Sequence, residues 1–139
     1  MRAFLFALLL LSAKAVFAQT TPPGQATEVD TTAFQHVEVE ASVDAQAWIH
    51  HLQKELQKPI EKAARKGMKA GTYTVQVKFL IEKDGSIADV QALNDPGFGL
   101  AKAAEKVIKT GPKWQPGVQD GKVVRSYHTQ PITFVISFV

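Results

Sequence analysis

Four histidines, thirteen carboxylates and no cysteine are the groups through which this 139-residue chain could run metal, acid–base or covalent chemistry. The histidine spacing is against a metal site. His50 and His51 are neighbours, so on a helix their side chains diverge by about 100°. Neither has a histidine four residues away, and His36 and His128 would have to converge from distant parts of the chain. His50 reads as solvent-facing. Without cysteine, disulfides, thiolate zinc sites and a cysteine nucleophile are excluded. Ser42, Ser86, Ser126 and Ser137 sit in cap, turn or strand contexts, and none stands in a Gly-x-Ser-x-Gly elbow. Asp84 and Asp89 flank a hairpin and would serve its turn. Gly97-Phe98-Gly99 reads as a turn that starts a helix, not as a phosphate cradle. The expectation is a chain that is not an enzyme and has no metal, no cofactor and no small-molecule substrate.

The N-terminus reads as an export signal. Arg2 supplies a positive start, residues 4–11 are an apolar run, and Val16-Phe17-Ala18 puts small residues at both positions that a signal peptidase reads before Gln19. Residues 3–18 are shorter than the roughly 20 apolar residues of a spanning helix, and Lys14 interrupts them. We expect a cleavable signal peptide at 1–18. Cleavage would remove Arg2 and Lys14 and no acid, leaving fourteen basic residues of the original sixteen against thirteen acids, a net charge of +1. Such a balance gives no reason to expect a nucleic acid or an anionic membrane as partner.

These groups need elements to hold them. Residues 19–36 are rich in Thr, Pro and Gln and read as a disordered leader. Residues 34–41 alternate weakly, as a short strand or an ordered arm. Ser42 or Asp44 offers an N-cap, and Ala45, Trp48, Ile49, Leu52 and Leu56 follow at helical spacing. Pro59 is expected to end or kink that helix, with another short helical turn over 60–66. Tyr73, Val75, Val77, Phe79 and Ile81 alternate with mostly polar neighbours, as in a strand covered on one face. Lys83-Asp84-Gly85-Ser86 is a hairpin signal, and 87–93 returns as the second strand. Leu100, Ala101, Ala104, Val107 and Ile108 form a second amphipathic helix, stopped at Gly111-Pro112. Residues 123–127 are short and extended; Ile132, Phe134, Ile136 and Phe138 make a last apolar strand face. Trp48, Val75, Val77, Phe79, Val107, Phe134 and Ile136 should share one core. The fold class is α+β: two helices packed on a small, mostly antiparallel three-stranded sheet.

The order strand, Asp84-Gly85 turn, strand, helix, Pro112-Lys113-Trp114-Gln115-Pro116 loop and closing strand resembles the C-terminal domain of TonB, the periplasmic energy transducer of Gram-negative bacteria. Supporting phrases are Val37-Glu38-Val39-Glu40-Ala41 with Trp48 and Leu52, Gly71-Thr72-Tyr73-Thr74-Val75 with Phe79, Gly97-Phe98-Gly99, Gly121-Lys122, and Gln130-Pro131-Ile132-Thr133-Phe134. The resemblance covers 37–139 and is similar to Bacteroidetes-type members. Full transducers of the family carry a transmembrane helix and a long proline-rich linker, where this chain has a signal peptide and a short leader.

What the resemblance implies is docking. In the family, a segment of an outer-membrane receptor, the TonB box, pairs with a sheet edge near the final strand. Here that edge would lie within 123–138, and Trp114, Val124, Arg125, Tyr127, Gln130 and Thr133 are the expected partner-binding residues. Two of these choices stay open on the residues alone. Trp114 between its prolines suits either a recognition surface or a plug at the end of the core. Arg125, Tyr127 and His128 suit either peptide contact or a solvated strand face. The expected function is that of a periplasmic docking protein binding TonB-dependent receptors or other envelope proteins by strand addition. The alternatives are a self-associating envelope module, with a possible homodimer, and a membrane-anchored energy transducer if residues 4–18 are retained.

Overall fold

The structure, a computed structural model, describes residues 32–138. The signal peptide and most of the leader expected from the sequence lie outside them. The first element is β1 (Ala33–Phe34), followed by β2 (Ser42–Val43). Helix α1 (Ala45–Arg65) starts where Asp44 Oδ1 accepts a hydrogen bond from the Ala47 amide at 2.7 Å, the ordinary N-cap device. It runs straight through Pro59 as one 21-residue helix. The expected break does not occur. Leu52, Leu56, Ile60, Ala63 and Ala64 continue the apolar stripe on both sides of Pro59, so packing outweighs the one hydrogen bond that proline removes. Ile49 lies off this stripe and is about half exposed. The helix closes in a Schellman motif: Gly67 takes a positive φ and its amide bonds Ala64, while the Met68 amide bonds Ala63.

Strands β3 (Gly71–Ile81) and β4 (Ile87–Ala92) form the expected hairpin. Its turn is fastened by Asp84 Oδ1, which accepts from the Ser86 amide (2.9 Å) and hydroxyl (2.6 Å). These bonds favour the ionised carboxylate and hold the Asp84 pKa below its usual range. A register shift near Lys78 and Leu80, with Asp89 at φ +50°, marks a β-bulge in the pair. Helix α2 (Leu100–Lys109) follows, then β5 (Trp114–Gln115), β6 (Gly117–Gln119) and β7 (Lys122–Ile136).

The α+β class holds, but the main sheet has five strands, not three. β7 is central. It pairs antiparallel with β3 from Gly71↔Ile136 to Ile81↔Ser126 and with β6 over 122–124, and parallel with β1 at Arg125 and Ser126. The path across the sheet is β1-β7-β3-β4. A separate two-stranded ladder joins Val43 to Trp114. The two extended segments read at 123–127 and 132–138 are one 15-residue strand. The leader expected to reach residue 36 is already paired at Ala33 and Phe34.

One face of β3 and β7 carries Val75, Val77, Phe79, Ile81, Ile132, Phe134 and Ile136, and the helices cover it with Trp48, Ala63, Leu100, Ala104, Val107 and Ile108. All seven core residues expected from the sequence are in this cluster. Phe138, expected on the same face, is exposed because β7 ends at Ile136.

Candidate functional site at the outer edge of the sheet

Which side of β7 is open follows from its neighbour. The Leu93 amide donates to the Gln76 carbonyl (2.7 Å), the Gln76 amide donates to Asn94 Oδ1 (2.8 Å), and Asn94 Nδ2 donates to the Thr74 carbonyl (2.8 Å). Thr74 and Gln76 therefore turn their main-chain groups towards the β4 side. Main-chain groups alternate along a strand, so the odd-numbered residues of β3 are the ones that bond β7. Their partners in the register are even-numbered: Gln130 opposite Val77, Ile132 opposite Val75, Phe134 opposite Tyr73. The odd-numbered residues of β7 turn their amides and carbonyls outward. Beyond the two residues covered by β1, that outer side has no strand partner among the described residues.

Pro131 fits this geometry. It stands opposite Gln76, so the nitrogen that lacks a hydrogen faces outward and no bond to β3 is lost. A proline inside a strand is tolerated on an edge for this reason. The open side thus offers amide donors at Thr129, Thr133 and Val135 and a gap at Pro131. All four residues are exposed. Their side chains lie on the sheet face away from the helices, where Thr133 and Thr74 share a hydroxyl hydrogen bond of 3.1 Å and the Lys78 ammonium sits 4.7 Å from the Tyr127 ring centre.

The six residues expected to bind a partner fall in different places. Thr133 is on the open side, and Tyr127 is at its start, where β1 ends. Gln130 is half-buried and its main chain belongs to the β3 ladder. Arg125 is paired with β1 and makes a two-pronged ion pair with Glu82, at 2.7 and 3.1 Å, which raises its pKa further. Val124 is buried and paired with Gly117. Trp114 is only 4% exposed. Its ring packs edge-on against Phe79 and Trp48, with centroids 5.3 and 6.0 Å away, and 4.9 Å from His128. Of its two sequence readings, the core plug is the one the packing supports. The sequence reading missed Thr129, Pro131 and Val135. Pro131 within an otherwise strand-like run was the available signal of an edge.

The histidines do not meet. His51 Nε2 donates to the Val107 carbonyl at 2.8 Å and ties α1 to α2, and His128 packs on Phe79. Among the described residues no cluster of histidines and carboxylates has metal-binding geometry, and no helix is long and apolar enough to cross a membrane.

This arrangement meets a direct comparison. The family model of the Gram-negative bacterial TonB protein C-terminal matches residues 61–136. The chain belongs to the TonB C-terminal family. The match begins inside α1, later than the resemblance read from residue 37, and runs to the last residue of β7. Members are TonB-type envelope proteins, and the domain is a module for interaction and energy transduction, not an enzyme. Among curated proteins nothing matches the chain.

Proposed function

We propose that this TonB C-terminal protein is exported to the periplasm through a cleavable signal peptide at 1–18 and docks an extended segment of a TonB-dependent outer-membrane receptor, or of another envelope protein, in TonB-linked transport. The segment adds as a strand along the outer side of β7, from Thr129 to Val135. One observation carries this reading: β7 outlasts its outer neighbour, so its outward amides and carbonyls from Thr129 to Val135 have no strand partner among the described residues. Unpaired strand edges invite pairing, and proteins ordinarily blunt or cover them.

Strand addition takes affinity from main-chain bonds. Three donors and the intervening carbonyls, at about 0.5–1.5 kcal/mol net each, give a modest affinity in the millimolar to micromolar range. That suits a contact made and released repeatedly. Pro131 leaves one acceptor of the incoming strand to water and fixes where the ladder is interrupted.

The test is titration of a TonB-box peptide against the protein and its Thr133→Pro and Thr133→Ala variants. Proline removes an outward donor and leaves the β3 ladder intact, as Pro131 already does, so binding should fall tenfold or more. Alanine keeps the amide and should change binding less than threefold. Equal binding by all three would refute the edge. A shift to dimers that the peptide dissolves would show self-pairing on the same edge; dimers indifferent to peptide would place self-association elsewhere.

A further inference from the structure

A cleft of about 360 Å³ lies between α1 and α2, and none of its lining residues belongs to β7. Lys54, Lys58 and Lys62 of α1 and Lys106 of α2 line it, and Glu55 is the one acid in the lining. None of the four lysines makes an ion pair among the described residues. Cations four residues apart repel on a helix, so this row is an unfavourable arrangement that an anionic partner would relieve. The floor is apolar, with Pro59 and Phe98. Phe98 is 42% exposed and holds φ +58° between two glycines that also have positive φ. A bulky residue in that backbone region, with its ring open to solvent, is a costly feature that core packing does not explain.

We infer that this cleft is a second docking site, for an acidic peptide segment of a partner protein that places one apolar side chain on Phe98 and Pro59. The spacing favours a peptide. Successive lysines of the row are separated by four residues, about 6 Å of helix rise. Carboxylates on alternate residues of an extended peptide recur at about 6.6–6.8 Å, so one segment can engage the whole row. An amphiphile with a single anionic head would meet one lysine and leave the others unrelieved.

The probe is a short fluorescein-labelled peptide of alternating glutamate and leucine, titrated by anisotropy against the purified chain. The double variant Lys58→Glu/Lys62→Glu should weaken binding at least tenfold, and raising salt from about 50 to about 500 mM should do the same by screening. Phe98→Asn should weaken it about fivefold. Asparagine accepts a positive φ, so this variant tests the floor without disturbing the turn, and an unchanged thermal melt checks that. Thr133→Pro should leave binding unchanged. Binding unaffected by charge reversal, or lost with Thr133→Pro, would overturn the assignment. So would a peptide that fails to bind while phosphatidylglycerol vesicles bind in a lysine-dependent way, which would make the cleft a lipid site.

Discussion

Replacing Gly85 by alanine tests how the β3–β4 turn is joined to the Trp114 segment. Gly85 has φ +82°, its carbonyl accepts from the Trp114 amide at 3.2 Å, and a Cβ placed on it would lie closer to the Trp114 carbonyl oxygen than real Cβ atoms approach. Left-handed backbone costs an alanine about 1–2 kcal/mol. The clash is with backbone, so it is relieved only by moving the turn away, which gives up a hydrogen bond of about 1 kcal/mol and loosens Trp114 against Phe79. The looser Trp114–Phe79 contact forfeits about 1 kcal/mol of aromatic packing, so the sum is about 3–4 kcal/mol. Gly121→Ala is the control, because Gly121 has φ +72° and open space around its Cβ direction. It should cost only the backbone part, about 1–2 kcal/mol. Urea unfolding followed by tryptophan fluorescence reads both. With a slope of about 2 kcal/mol/M, the midpoint should fall by about 1.5–2 M for Gly85→Ala and by about 0.5–1 M for Gly121→Ala. Equal shifts would refute the close approach of turn and Trp114.

Phe79→Ala should destabilise by about 3–5 kcal/mol in the same assay, because the ring is fully buried against Trp114 and His128; a loss under about 1 kcal/mol would mean that the core face of β3 is misassigned. The Asp84 carboxyl has a folded-state pKa below its unfolded value, so its contribution is present above the unfolded value and is lost as pH falls through the lowered one. Stability should therefore show no Asp84 effect from pH 5 to 8 and an acid limb below about pH 4 that is shallower in Ser86→Ala. N-terminal sequencing of the protein from a periplasmic fraction should begin at Gln19, and a start at Met1 in the membrane pellet would overturn export with cleavage.

The long elements were legible in the sequence because their periodicity is strong. Alternation over 73–81 and the Asp84-Gly85 turn specify the hairpin, and Leu100, Ala104, Val107 and Ile108 specify the buried face of α2. The two- and three-residue strands β1, β2, β5 and β6 were not legible, since segments so short carry no periodicity and exist only because neighbours pair with them. Pro59 misled as a local breaker, yet it is held by helix packing on both sides. Pro131 faces a side with no ladder to break among the described residues. The edge itself was half legible. The final strand was recognisable, but whether odd or even residues face β3 depends on register, and register is a tertiary fact. Val124 and Arg125 were expected at the edge for lack of any sign that Gly117 and Ala33 would cover them.

A strand added along the open side of β7 would bury a specific set of main-chain amides. Amide hydrogen exchange by NMR, with and without a TonB-box peptide, tests it residue by residue. The amides of Thr129, Thr133 and Val135 should gain protection at least tenfold on peptide addition, while the outward amides of β4 should not change. Protection on β4 or in the α1–α2 cleft instead, with Thr129, Thr133 and Val135 unchanged, would contradict it.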